Sequence, residues 1–168
     1  DGSMVAYWIG ASHTSVGAKT YFIPVSGGTP KQVLPDFTYA LDPIWSPDGN
    51  HILLFGLKAV SGGASSAKWF MDWWVTPLEG GSPISTGISD MFPERPEELI
   101  WNMKHTGVWL PEGNRFFFSM DPGTGKKLWM VPLSPRTFRA SAPLQNLGGA
   151  VGSCQDPTVA EGRLLAFG

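Results

Sequence analysis

Apolar residues in this chain come in short runs that end at glycine, proline or aspartate. "DPIWSPDGNHILLFG" (Asp42–Gly56) is an apolar stretch, a turn signal and a second apolar stretch, and "TGVWLPEGNRFFFSM" (Thr106–Met120) repeats it class by class. Such runs, rich in Val, Ile, Phe, Tyr and Trp and bounded by turn residues, read as strands. Asp-Gly between two of them reads as a tight antiparallel hairpin, here a two-residue turn. Glycine accepts positive φ there, and aspartate can bond its own downstream backbone. Helical periodicity is weak throughout. Only "PERPEELIWNM" (Pro93–Met103) offers a helical turn or two, with Glu94, Glu97 and Glu98 well placed in a first turn.

The pattern recurs along the whole chain. The glycines that close each Asp-Gly or Glu-Gly pair are Gly2, Gly49, Gly113 and Gly162, separated by 47, 64 and 49 residues. Two intervals agree, and the third carries an insertion. Each glycine precedes an apolar run, and each of the first three runs is followed by another that ends near a proline: Pro24, Pro77 and Pro132. A proline lacks the N–H a ladder needs, so these positions belong at strand ends or bulges. The unit is therefore four strands, A to D, with tight A-to-B and C-to-D turns, at a period near fifty. That is the signature of a β-propeller blade. The expected fold is all-β, a partial β-propeller of about three four-stranded antiparallel blades, at about 1–34, 42–86 and 106–147, with a fourth begun at about 156–168. Because a propeller closes with at least four blades, the segment is expected to be an excerpt of a longer chain of six to eight blades, or to close a ring as two copies. Its open sheet edges offer a route to self-association.

Composition narrows the function. With 168 residues and 42% hydrophobic content, a packed core is within reach. Twelve basic against fourteen acidic side chains leave no cationic footprint for nucleic acid. No apolar run is long enough to span a membrane, and "DGSMVAYWIG" (Asp1–Gly10) lacks the basic start of a signal peptide. The single Cys154 forms no internal disulfide.

"WSPDG" (Trp45–Gly49), preceded by Asp42-Pro43 and followed by "HILLF", together with "VSGGTPKQVL" (Val25–Leu34) in the preceding unit, resembles the TolB-like propeller repeat, with degenerate copies at "WLPEG" (Trp109–Gly113) and "TVAEG" (Thr158–Gly162). The resemblance covers essentially the whole chain. It extends to the propellers attached to bacterial Ser/Thr kinases or winged-helix regulators, where the repeats form a sensory or interaction half. It implies a non-catalytic binding module in a periplasmic or otherwise extracytoplasmic setting. The alternative is the accessory propeller of a prolyl-oligopeptidase-like serine peptidase whose catalytic domain lies outside this chain.

Signals of chemistry are sparse. "GTGKK" (Gly123–Lys127) lacks the upstream glycine and the following Ser or Thr of a phosphate loop. Neither "GGASSA" (Gly62–Ala67) nor "VGSCQ" (Val151–Gln155) makes a Gly-x-Ser-x-Gly elbow. His13, His51 and His105 have no second ligand at metal spacing. Cys154 has no neighbouring cation to activate it. No catalytic residue, metal site or cofactor is assigned. Trp45 and Trp109, at equivalent A-strand positions, and Trp74 and Trp129, at equivalent C-strand positions, are assigned to packing between blades. Both long insertions, Leu57–Trp69 and Gly87–Thr106, fall on the face opposite the tight turns, and loops on a rigid scaffold carry variable function. The candidate binding face therefore comprises Asp42, Trp69, Glu97, Glu98, Trp101, His105 and Asp156, with Asp42, His105 and Asp156 near the channel mouth. Glu94, Glu97 and Glu98 against Arg95 favour a basic or amine-bearing partner, whether a protein, a peptide or a small ligand.

Overall fold

The computed structural model describes residues 2–10, 17–60, 68–92, 107–120, 127–148, 155–160 and 163–167. The described chain is all-β, apart from one 3-10 turn at Ser89–Met91. The expected Pro93–Met103 helix lies outside the described residues.

Strands β1 (Met4–Gly10), β2 (Ala18–Pro24) and β3 (Lys31–Val33) form an antiparallel set equivalent to B, C and D of the repeat. Strands β4 (Tyr39–Trp45), β5 (His51–Val60), β6 (Lys68–Pro77) and β7 (Ile84–Ser85) are the full second set. Strands β8 (Gly107–Trp109), β9 (Arg115–Met120), β10 (Lys127–Pro132) and β11 (Gln145–Asn146) are the third. Strands β12 (Gln155–Ala160) and β13 (Arg163–Phe167) pair as A and B of a fourth. The sheets are open, and the architecture is that of a partial β-propeller. Strand pairing between the first two sets is a single parallel bridge, Ala18–Tyr39, reinforced where Thr20 Oγ1 donates to the Ala40 carbonyl at 2.8 Å. Strand β8 lies against both β4 and β12, so the A strands are neighbours from set to set.

The register confirms the repeat residue by residue. Pro24, Pro77 and Pro132 each end a C strand and face Met4, His51 and Arg115. Placed there, each proline leaves no ladder donor missing from a strand interior.

The β4–β5 and β8–β9 hairpins are less tight than a two-residue turn, whereas in β12–β13 the pair Ala160–Arg163 leaves two residues between the strands. In β4–β5 the closing pair is Ser46–His51, with Ser46 N–H to the His51 carbonyl at 3.0 Å. Pro47 occupies the second position of a turn that Gly49 N–H closes onto the Ser46 carbonyl at 2.9 Å, and Gly49 takes φ 71°. Leu110, Gly113 and Arg115 reproduce it, with Gly113 also at φ 71°. Four residues thus lie inside each of these two hairpins, because proline pre-sets the first turn residue and the left-handed glycine then redirects the chain.

Packing between sets supplies the core. Leu53, Phe55, Trp73, Val75 and Ile88 of the second set meet Trp109, Phe116, Phe118, Val131 and Leu133 of the third. On its other face the second set offers Ile52, Leu54 and Trp74 to Val33, Leu34 and Phe37, with Ala6 and Phe22 alongside. Alternation along each B strand assigns odd and even residues to opposite interfaces.

Two expectations about this packing need correcting. Trp109 is buried, but its counterpart Trp45 is only half-buried. Phe138 covers Trp109, edge to face at 5.9 Å, and comes from the connection between β10 and β11. That connection spans residues 133–144, whereas those following β2 and β6 run only 25–30 and 78–83. The turn face is therefore not uniformly tight. The longer loop folds back on the second set, where the Phe138 ring meets the His51 ring at 4.6 Å, tilted by 52°, and Ala140 N–H reaches the Thr86 carbonyl at 2.9 Å. Truncating Trp45 to Ala should accordingly cost about 1–2 kcal/mol, below the range for a fully buried tryptophan. Urea unfolding is the measurement.

Candidate functional site

Strand A begins earlier than the sequence suggested, at Tyr39 and not at Asp42, because the Asp42-Pro43 step is a bulge inside the strand. Leu41 faces Phe55 and Ile44 faces Leu53, so three steps on β4 span two on β5. Asp42 takes φ 52°, the left-handed region that aspartate tolerates better than most residues. The same device recurs in β12, where Gln155 faces Phe167 and Thr158 faces Leu165 around Asp156-Pro157. Bulges re-aim side chains and are frequent beside functional sites. Asp42 and Asp156 therefore hold one structural position in two different sets.

The other candidates are only partly visible. The Trp69 backbone pairs with Ala59 in the β5–β6 ladder, so the hairpin continues well into the first insertion. The side chains of Trp69 and Asp156 lie outside the described residues, as do Glu97, Glu98, Trp101 and His105.

Sequence reasoning missed the residue that roots the second insertion. Asp72, in strand β6, is fully buried. Its Oδ2 accepts the Ser85 hydroxyl at 2.5 Å and the Gly87 N–H at 2.6 Å. Its Oδ1 accepts the Ser89 N–H at 3.0 Å and the Thr86 hydroxyl at 3.3 Å. One carboxylate thus fixes the chain as it leaves β7, and a buried acceptor satisfied by several donors is the condition under which burial of a charge is tolerated. Ile88 is then fully buried, Met91 and Phe92 pack onto the third set, and Phe92 meets Trp129 edge to face at 5.4 Å. The insertion starts from a fixed root shared by two blades. The available signal was a lone aspartate in the apolar run "FMDWWV" (Phe70–Val75), at a register where the other sets carry Lys19 and Lys127.

At the opposite end of the sheets, Asp48 organises its hairpin. Its pKa lies below the ordinary carboxylate value, chiefly because the Ser46 hydroxyl donates to Oδ1 at 2.5 Å, then because Asn50 N–H donates at 3.0 Å, with His51 Nδ1 3.5 Å away. In the third set Leu110 removes the hydroxyl, and Glu112 pairs instead with Arg115 at 4.0 Å. A carboxylate whose folded pKa is depressed adds stability above its unfolded pKa and loses it as pH falls through the folded value. Ser46→Ala should therefore cost about 0.5–1 kcal/mol at neutral pH, the low end for a hydrogen bond because Asp48 is half-exposed. The difference from the parent should shrink in strong acid, as urea unfolding at both pH values will show.

Among the described residues no cluster of three His, Cys, Asp or Glu could hold a metal, and no helix is long and apolar enough to cross a membrane.

No protein-family model and no curated protein matches the chain by sequence. Solved structures do share its fold. A putative TolB from Agrobacterium tumefaciens aligns with TM-score 0.61 at 16% identity, over 94% of this chain and 46% of its own. TolB from Acinetobacter baumannii aligns with TM-score 0.56 at 15% identity, over 91% of this chain and 33% of its own. A puromycin-hydrolyzing peptidase of Mycobacterium tuberculosis aligns with TM-score 0.56 at 12% identity, over 92% of this chain and 25% of its own. The chain thus spans less than half the length of each. TolB-type propellers and the propeller parts of peptidases are similar to it in fold, and at these identities the likeness concerns the fold alone.

Proposed function

We propose that the chain is a non-catalytic binding module that holds a protein or peptide on the face carrying the B-to-C and D-to-A insertions, in an extracytoplasmic setting. The observation that carries this reading is the Asp72 root. Four hydrogen bonds to one buried carboxylate fix the start of the second insertion, and a loop held at its root presents its tip at lower entropic cost on binding. Support also comes from the repeated Asp-Pro bulges, which place Asp42 and Asp156 alike in the A strands. The sequence of the insertion supplies Glu94, Glu97 and Glu98 against Arg95, so the preferred partner is basic. Under the alternative reading, as the accessory propeller of a prolyl-oligopeptidase-like peptidase, the parent reading frame would contain a Gly-x-Ser-x-Gly hydrolase domain.

Replacing residues 93–102 by a Gly-Ser linker keeps Asp72, Ile88, Met91 and Phe92 and removes the acidic stretch. Across a peptide array of graded charge, the parent should retain basic peptides at low salt and lose them at high salt, since exposed charges are screened within about 10 Å at 0.1 M ionic strength. The variant should lose about tenfold in affinity, equivalent to about 1.4 kcal/mol. Equal binding by a folded variant would move the site off this face.

A further inference from the structure

We infer that the connection between β10 and β11, residues 133–144, is a second interaction site, on the face opposite the insertions, and that it takes a carboxylate-rich segment of a partner protein. The site is separate from the one proposed on the insertion face. It lies over the boundary between the second and third sets, each of which has all four strands, A to D.

The two counterparts of this connection turn on glycine pairs at positive φ, Gly27-Gly28 and Gly80-Gly81. The third is longer and contains no glycine. Its backbone closes on itself: Phe138 N–H donates to the Ser134 carbonyl and Ser134 N–H to the Arg139 carbonyl, both at 2.8 Å. Ser141 N–H then returns to the Pro132 carbonyl at 2.9 Å, and Ala140 N–H ties the loop to the second set through Thr86. Leu133, Phe138, Ala140 and Leu144 turn inward and join the core between the sets. A surface loop whose ends are close and whose own side chains fill it is an Ω-loop, a class that is frequently functional. These contacts hold Phe138 at φ 56°. A bulky residue stays in the left-handed region only where its surroundings over-determine it, and such residues cluster at ligand clamps.

The outward side of the loop is polar and of one sign. Pro135, Arg136, Thr137, Arg139 and Ser141 are exposed, and the only charges between 133 and 144 are Arg136 and Arg139. Among the described residues neither guanidinium has an ion pair or a hydrogen-bonded side-chain partner. The acids at this end of the two sets are already engaged or set apart. Glu112 pairs with Arg115 at 4.0 Å, Asp48 accepts from Ser46 and Asn50, and Glu79 lies in the β6–β7 connection. Guanidinium donors form a fork that matches a carboxylate, and a loop already ordered loses less entropy when it binds. Two such groups three residues apart therefore suit a segment with carboxylates in succession. They repel the basic segment proposed for the insertion face.

The probe is hexaglutamate, added to the full chain at low salt, with hexalysine as the control for sign and amide hydrogen exchange as the map. The expected result is saturable binding of hexaglutamate that adds protection within residues 134–141 and weakens at high salt. Joint replacement Arg136→Gln and Arg139→Gln, at exposed positions that folding tolerates, should weaken it about tenfold. Arg115→Gln removes a charge that is already paired and should leave affinity within about twofold. Replacing residues 93–102 by a Gly-Ser linker should leave hexaglutamate binding as in the parent, so failure of this inference and failure of the insertion-face reading are separate results. Undiminished binding by the double variant, protection mapped away from 134–141, or an equal loss with Arg115→Gln would overturn the inference. So would self-association that hexaglutamate disrupts and the 93–102 replacement abolishes, since the acidic stretch of a second copy would then be the occupant.

Discussion

Replacing Asp72 by asparagine should destabilise the chain by about 2–4 kcal/mol, nearly as much as alanine, although the side chain keeps its shape. Each carboxylate oxygen accepts one hydroxyl and one backbone N–H: Ser85 and Gly87 at Oδ2, Thr86 and Ser89 at Oδ1. Whichever way an asparagine amide turns, its NH2 group faces a backbone N–H that cannot rotate away. The hydroxyls of Ser85 and Thr86 can turn, but Gly87 or Ser89 loses its acceptor, and an unpaired buried donor costs about 1–3 kcal/mol. The three remaining bonds lose their charge-assisted strength, which brings the total to about 2–4 kcal/mol. Urea unfolding reads the total, and hydrogen exchange at Gly87 and Ser89 reads the cause. A variant as stable as the parent, with those two amides still protected, would show that the stitch is redundant with the packing of Ile88, which is fully buried. If the stitch holds, the same variant separates the two roles of the second insertion. Binding should fall where the root is loosened even though every residue of the acidic stretch is present.

Why the architecture could be read from sequence, and the stitch could not, follows from the range of the interactions involved. Strands, hairpins and the repeat are local facts. Pro24, Pro77 and Pro132 end strands because of what proline lacks, and Gly49 and Gly113 sit at hairpin positions because of the φ they accept. The Asp-Pro bulges share a signature within two residues. The Asp72 site instead depends on residues 13 to 17 positions later returning alongside β6, which needs the β6–β7 register and not just the presence of both strands. The half-exposure of Trp45 was hidden for a related reason. Trp45 and Trp109 are indistinguishable within their own strands, and what separates them is Phe138, delivered by the longer β10–β11 connection. Phe138 itself takes φ 56°, a conformation its residue type does not announce. The second insertion was legible as a lengthened interval in the repeat, while its anchoring was written in long-range contacts.

The contact that should matter most for holding blades together is Trp73, and Trp73→Ala should cost about 3–5 kcal/mol. The ring is 2% exposed. It meets Phe116 at 4.8 Å and Phe118 at 5.8 Å across the boundary between the second and third sets, and Phe55 at 5.6 Å within its own. Burying such a ring removes roughly 150–250 Å² from water, worth about 4–6 kcal/mol gross at about 25 cal/mol per Å². Geometry adds to area, since edge-to-face pairs contribute about 0.5–1.5 kcal/mol beyond burial, and the rings lie at 71° to Phe116 and 73° to Phe55. The neighbours are held by backbone ladders on both sides, Phe116 and Phe118 by β8 and β10, so the cavity cannot close by a small shift. Trp73→Phe should recover more than half of the loss, because it keeps aromatic contact while leaving a smaller void. Repeat architectures transmit stability through nearest-neighbour interfaces, so the alanine variant should also make unfolding less cooperative. Exchange of β8–β10 amides should separate from that of β1–β3. If the two regions continue to exchange together and the midpoint falls by no more than it does for Trp45→Ala, then Trp73 is not the joint between the blades, and Ile88 with Val75 must carry it.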